Sequence, residues 1–294
     1  MILVVGASGD LGGLIARMLL DEGQPVRILV RDGSSYDTLV AAGAEAVSGD
    51  LKEPDTLNAA CDGADAIVTT ANSIGRGGED TIESVDRIGN RNLVNAAVTA
   101  NVRRFVLISA LGADAHSPSP FLQAKGETEQ RLRDSAIAWT ILQPNVFMDI
   151  LIPALVGYPA LNNQPVTLVG EGHRRHSFVA RRDVAAYAAA ALGRQDAEGQ
   201  TLLIAGPEAI SWRDIVATFE RVLDRDLTVR TIAPGEPVAG LPEMGSQLLA
   251  ALDTYDSPLD ITELADTYDV TPTTVTDFVR DFVAASPAAA QPNG

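Results

Sequence analysis

The chain has 294 residues, enough for one large domain or two lobes with a substantial core, and its 46% hydrophobic content with mean hydropathy +0.09 describes a globular protein. Lys and Arg number 22 against 39 Asp and Glu, a net charge of −17 that repels nucleic acid and anionic membrane surfaces over most of the molecule. No apolar run reaches the roughly 18 residues of a membrane span, the N-terminus reads as a strand rather than a leader, and one cysteine, Cys61, allows neither a disulfide framework nor a cysteine metal cluster. The expectation is a cytoplasmic protein without a nucleic-acid or membrane partner. No metal is expected either, since His116, His173 and His176 form no ligand set with nearby acids.

An apolar strand at 2–5 runs straight into Gly6-Ala7-Ser8-Gly9-Asp10-Leu11-Gly12-Gly13 and then into a helical pattern at 11–22. That order suits a dinucleotide: Gly6 for the tight turn, Gly9 for close approach of a pyrophosphate, Gly12 for helix packing against the sheet. The phosphates would meet the free N–H groups at the helix N-terminus, where the macrodipole also favours negative charge. The spacing is G-x-x-G-x-x-G, with the middle glycine displaced by one from the commoner fingerprint. Strands then follow at 26–30, 44–47, 65–70, 104–109 and 139–143, with helices near 35–42, 54–61, 80–100 and 122–134. Cys61 falls on the apolar side of the 54–61 helix and reads as a small core residue. Such alternation predicts an α/β fold with a doubly wound parallel sheet that binds ligands at the carboxyl ends of its strands.

After Pro144 the pattern loosens. Helices are expected at 182–193 and 211–224, capped by Asp183 and Ser211, then a Pro/Gly-rich connection over 233–246. Short helices follow near 246–253, 260–268 and 272–284, the last capped by Thr271 with Pro272 at its first position. The organisation expected is a dinucleotide-binding domain over 1–147, a smaller α/β substrate lobe over 148–285 that partly returns to the sheet, and a disordered Ala/Pro/Gln-rich tail over 286–294.

The stretches Gly6-x-x-Gly9-x-x-Gly12, Ser48-Gly49-Asp50-Leu51, Arg104-Phe105-Val106-Leu107-Ile108-Ser109, Lys125-Gly126-Glu127 and Trp139-Thr140-Ile141-Leu142-Gln143-Pro144 resemble the NmrA-like group of atypical short-chain dehydrogenases/reductases. Ser177-Phe178-Val179, Arg182-Asp183-Val184-Ala185 and Gly206-Pro207-Glu208-Ala209-Ile210-Ser211-Trp212 extend the likeness to about residue 282. The resemblance implies a Rossmann fold with a smaller C-terminal substrate lobe. It also implies a nicotinamide cofactor on Gly6, Ala7, Ser8, Gly9, Asp10, Leu11 and Gly12, with Asp50 and Leu51 beside the adenine. The small ends of the fourth strand, Thr69, Thr70 and Ala71, would admit a ribose, and the Gln143-Pro144-Asn145 turn would offer backbone groups to the carboxamide.

NAD-selective relatives carry an acid at the end of the second strand, where this chain has Val30 and then Arg31. Arg31 can pair with a 2′-phosphate, which favours NADP(H) over NAD(H); the opposing reading has Arg31 solvated and Asp32 turned inward. Ser34 and Ser35 could add hydrogen bonds to a phosphate. In ordinary relatives a Tyr-x-x-x-Lys pair puts a phenol and an ammonium on one helical face. Here the stretch is Phe121-Leu122-Gln123-Ala124-Lys125, so the resemblance retains Ser109 and Lys125 as catalytic candidates but no phenolic acid. Both would also touch the cofactor, Lys125 through the nicotinamide ribose hydroxyls. Phe121, Phe147 and Met148 are substrate-pocket candidates, and Tyr158 and the run Arg174-Arg175-His176 are polar features of the second lobe.

Three functions fit. The first is an NADPH-dependent oxidoreductase passing hydride to a small conjugated or quinone-like acceptor whose anion needs no phenol. The second is a non-catalytic NAD(P)-binding redox sensor acting on a protein partner, and the third is sugar-nucleotide epimerase or dehydratase chemistry, which the missing tyrosine disfavours.

Overall fold

The structure is a computed structural model in which residues 1–286 are described; the expected tail lies outside the described residues from 287 onward. The chain forms two compact units. One comprises Met1–Pro144 and Arg181–Ile204; the other comprises Asn145–Ala180 and the chain from Ala205 onward. Residues 145–147 and 181–204 thus sort differently from the expected boundary at 147.

The first unit is built by alternation. Strand β1 (Ile2–Val5) leads into α1 (Asp10–Asp21), β2 (Val26–Val30), α2 (Asp37–Ala41), β3 (Glu45–Ser48), α3 (Pro54–Cys61) and β4 (Ala66–Thr69). A π-helical stretch, Ile82–Gly89, runs on into α4 (Asn90–Thr99), followed by β5 (Arg104–Ile108), α5 (Pro120–Arg133) and β6 (Ala138–Pro144). The sheet order is β3-β2-β1-β4-β5-β6, extended by the strand Gln200–Ile204, and every pairing is parallel. This is the Rossmann arrangement. β1 lies between β2 and β4, where the winding direction reverses and a crevice opens beyond the carboxyl ends of the strands.

Register places the site. Val5 pairs with Leu29 on one side and Thr69 on the other, so Gly6, Val30 and Thr70 lie along one edge of the sheet. One sheet face buries Leu3, Val5, Ile67, Phe105 and Ile141 against Leu57, Cys61, Leu93 and Leu132 of α3, α4 and α5. The opposite face is covered by α1, whose buried Gly12, Ile15, Ala16 and Leu19 form a single stripe, and by helix Arg181–Gly193, which packs on α1, β5 and β6. Cys61 is wholly buried, and desolvation pushes its thiol up to about 11.

Several sequence expectations are corrected. The helix expected at 80–100 is two geometries in series, entered through a Thr81–Ser84 capping box. The helix expected at 122–134 already opens at Pro120, so Lys125-Gly126-Glu127 lies in its second turn. Asp183 is no cap but the third residue of Arg181–Gly193; a first-turn acid serves the same dipole as a cap, so sequence does not separate the two roles. Thr271 is not a cap either. The last helix, Val275–Ala285, starts three residues later, with Thr274 accepting from the Asp277 amide, and Pro272 remains outside it.

In the second unit, Ser211 does cap Trp212–Leu223, in a capping box with Asp214. Strand Val166–Val169 pairs with Val229–Ile232 and strand Arg175–His176 with Ile210–Ser211; none of these was foreseen. Its core gathers Met148, Leu155, Val166, Phe178, Trp212, Phe219, Leu249 and Val279. Among the described residues no helix is long and apolar enough to cross a membrane.

Candidate dinucleotide and reductase site

The loop between β1 and α1 has no room for side chains. Gly6 has φ +90°, and a Cβ there would meet Thr70 Oγ1 at 2.6 Å; a Cβ on Gly12 would lie 2.3 Å from the Gly6 carbonyl oxygen. The Gly9 amide donates to that same oxygen at 3.0 Å, closing the turn, and no side chain caps α1. The helix therefore offers its first amides to a ligand. This cradle, which a methyl group would fill, fits a pyrophosphate. Asp10, in the first turn, is held by Arg181 at 2.6 Å, which offsets a carboxylate placed where phosphates would lie.

A groove continues from this loop, bordered by Gly6, Ser8, Arg31, Asp50, Leu51 and Ala71. Val30 is buried in the sheet and Asp32 is exposed, so neither presents an acceptor inward. Arg31 does face the groove, where its Nη1 pairs with Asp80 at 2.7 Å and lies 3.6 Å from Asp50. Lys52 joins the set, 2.9 Å from Asp80 and 3.7 Å from Asp50, and Arg76 lies 3.9 Å from Asp80. Burial would lower the Arg31 pKa, but the hydrogen bond and charge of Asp80, aided by Asp50, raise it overall. Leu51 is buried, its carbonyl accepting from Asn92, and Asp50 receives the Lys52 amide, so this pair is a fixed wall.

At the end of β4, Thr69 and Ala71 are buried, and the Ala71 carbonyl accepts from Lys125 Nζ at 3.4 Å and from Asn90 at 3.4 Å. Lys125 is 3% exposed, with Nζ 3.8 Å from Asp86 Oδ1 and 5.5 Å from the centroid of the Phe121 ring. The four-residue spacing thus does put Phe121 and Lys125 on one helical face. Desolvation lowers the Lys125 pKa, opposed by Asp86 and Glu129. Asp86 is completely buried; Oδ2 accepts from the Ser73 amide and hydroxyl, while Oδ1 has no hydrogen-bond partner.

Ser109 is committed elsewhere. Its hydroxyl donates to Glu129 Oε1, which also accepts from Gln143 Nε2 at 2.9 Å, while Glu129 Oε2 accepts from Arg133 at 2.9 Å. A polar cavity of about 240 Å³ borders this cluster at Glu129, Arg133 and Gln143. Pro144 ends β6 and its carbonyl accepts from the Leu111 amide. In the second unit, Asn145 donates to the Ser257 carbonyl at 3.0 Å, Phe147 bridges to Val179, and Met148 is wholly buried in the core. Tyr158 packs edge-on against Phe282. The expected Arg174-Arg175-His176 cluster is split: the arginines engage Asp256 and Asp214, and His176 is buried against Ser257 and the Leu252 carbonyl.

The NAD(P)H-binding family matches residues 6–195, from the glycine turn through the helix Arg181–Gly193. The chain belongs to the NAD(P)H-binding family. An NAD(P)H azoreductase of Xenophilus azovorans is 31% identical over 246 residues, covering 83% of this chain and 82% of that protein. The photosystem II assembly factor Ycf39 of a Synechocystis strain is 33% identical over 222 residues, 75% of this chain and 67% of its own. Among solved structures, an Escherichia coli NADPH-dependent quinone oxidoreductase in complex with NADPH shares the fold, with TM-score 0.79, 23% identity, and coverage of 96% of this chain and 99% of that one.

The sequence reading of this NAD(P)H-binding protein missed Lys52, Arg76, Asp80, Asp86 and Glu129. Asp86 left a trace: with Asn90 it sits four residues apart on a stripe shared with the apolar Leu93 and Ala97, where an unpaired charge has no place. Glu129 lies four residues from both Lys125 and Arg133, a spacing that reads equally well as a solvated face. Asp80 left none, since its two nearest partners, Arg31 and Lys52, come from other loops.

Proposed function

We propose that the protein is an NADPH-dependent reductase of small conjugated acceptors, quinone-like or azo compounds, within the NmrA-like group of short-chain reductases. The observation that carries the reading is the buried Lys125, held by Ala71 and Asp86 at the ligand edge of the sheet and paired with a phenyl ring where relatives carry a phenol. The family supplies the cofactor class, and the azoreductase relative supports the acceptor class. Arg31, with Lys52 and Arg76, supports a 2′-phosphate and hence NADP(H) over NAD(H). A small molecule as substrate and a cytoplasmic location belong to the same reading.

NADPH, when bound, supplies a hydride from its reduced nicotinamide. The α1 amides and the Gly6–Gly12 cradle would hold the pyrophosphate, and Lys125 would hold the ribose hydroxyls. Phe121 presents an apolar ring and no proton, so the charge that arrives with the hydride must be delocalised on the acceptor and neutralised by water. Ser109, whose proton is donated to Glu129, acts by positioning: it ties β5 to α5 and so fixes the helix that carries Lys125. The absence of a phenol equally suits a non-catalytic NAD(P)-binding sensor, the second reading.

Substituting Phe121→Tyr separates the two. A reductase lacking only its acid gains reduction of unconjugated ketones by at least tenfold, with a new pH dependence from the phenol. A site not built for hydride transfer gains nothing, and that outcome contradicts the proposal.

A further inference from the structure

We propose that Asp80 sets the preference between NADP(H) and NAD(H), acting as an internal anion that competes with the 2′-phosphate for Arg31, Lys52 and Arg76. The inference rests on the reading that Arg31 faces the 2′ position. Both carboxylate oxygens are in use, Oδ2 toward Arg31 at 2.7 Å and Arg76 at 3.9 Å, and Oδ1 toward Lys52 at 2.9 Å. Asp50 is the weaker partner at 3.6 and 3.7 Å. The exposures are unequal: the Asp80 side chain is 10% accessible while Arg31, Lys52 and Arg76 are 36%, 29% and 31% accessible. The cations therefore keep donors open to the groove while the carboxylate sits behind them. An arginine with five N–H donors can engage Asp80 and a phosphate together, but the two anions then repel across a short distance.

The charges count the same way. Three cations and two carboxylates leave the cluster at +1, and an incoming phosphate near −2 drives it negative. Removing the Asp80 charge leaves +2, matched to the phosphate. Burial pushes the Asp80 carboxyl up, but its bonds to Lys52 and Arg31 outweigh this and hold it below the ordinary carboxylate range, so it is charged at neutral pH.

The backbone carrying Asp80 is suited to yielding. Gly75, Gly77 and Gly78 all have positive φ, and a Cβ on any of them would meet nothing within 4 Å. Asp80 closes this segment through the hydrogen bond its amide donates to the Gly77 carbonyl at 3.2 Å, and its ion pairs tether the segment to the end of β2 and to the Asp50–Lys52 turn. A phosphate that takes over Arg31 and Lys52 also releases the tether.

The test is calorimetric titration of the full chain with adenosine 2′,5′-bisphosphate and with 5′-AMP, for the unmodified protein, Asp80→Asn, Asp80→Ala and Arg31→Ala. The expected result is that both Asp80 variants bind the bisphosphate roughly tenfold more tightly while 5′-AMP affinity stays within twofold. Unchanged or weaker bisphosphate binding in both Asp80 variants, with 5′-AMP binding retained, overturns the inference. Loss of 5′-AMP binding in both also overturns it, since Asp80 would then be a structural residue of the groove. Arg31→Ala is the separate control: if it leaves the ratio of the two affinities unchanged, the placement of Arg31 itself is wrong. If Arg31→Ala weakens bisphosphate binding and the Asp80 variants do nothing, only the role of Asp80 falls.

Discussion

Lys125 and Asp86 are best treated as one unit, because neither has another charged partner within ion-pairing distance among the described residues. Replacing one member strands the other in a region from which water is excluded, and breaking a buried pair costs about 3–5 kcal/mol. Lys125→Met is therefore expected to lower stability by roughly that amount, and Lys125→Met with Asp86→Asn to recover a good part of it. Denaturant midpoints of the two variants measure this. A double variant no more stable than the single one would show that Asp86 is satisfied without the lysine. Phe121 belongs at this scale too, since under the proposed function a single missing hydroxyl would decide which acceptors the site can serve.

Among the elements, the glycine loop and β1 are legible because each glycine answers a local demand: Gly6 needs positive φ and Gly12 needs the space a Cβ would take from the Gly6 carbonyl. The parallel strands are legible because burial on both faces leaves short apolar runs between helical patterns. The junction at Gly89–Asn90 is not, since the chain passes there from π to α geometry with no proline or side-chain cap to mark the change. Nor are the strands Val166–Val169 and Gln200–Ile204, whose paired residues lie 60 or more positions away in sequence. The Arg31–Asp80–Lys52 cluster is hidden for the same reason: three loops contribute to it and none carries a motif. At the last helix, Pro272 drew the start too early, whereas the hydrogen bond from the Asp277 amide to Thr274 places it. Thr274→Ala should cost about 1 kcal/mol in urea denaturation, and Thr271→Ala should leave the midpoint unchanged. Equal effects of the two would contradict the assigned cap.

For the whole molecule, acid stability depends on His176. The Leu252 carbonyl can only accept, so His176 carries a proton on Nε2, and with the ring neutral Nδ1 is the acceptor facing the Ser257 hydroxyl at 2.8 Å. Burial lowers its pKa, outweighing the Leu252 bond and Asp256, which favour the charged ring, while Arg174 adds to the depression. The unfolded chain therefore takes up a proton at a higher pH than the folded one, so stability is full above about pH 6.5 and falls as the pH drops through that value toward the folded pKa. The urea midpoint should be lower at pH 5.5 than at pH 7.5, and His176→Gln should flatten that part of the profile. A wild-type midpoint that does not change between those two pH values would show that the ring is not buried neutral.

The central claim is that a dinucleotide site without a phenol still passes on a hydride, provided the acceptor can carry the charge. The most direct measurement follows NADPH and NADH oxidation in parallel against a benzoquinone, an azo dye, a triarylmethane dye and an unconjugated ketone, together with the dissociation constant of each cofactor. The account predicts sustained oxidation with the conjugated acceptors, faster with NADPH, and none above background with the ketone. Micromolar cofactor binding without turnover on any acceptor would contradict it.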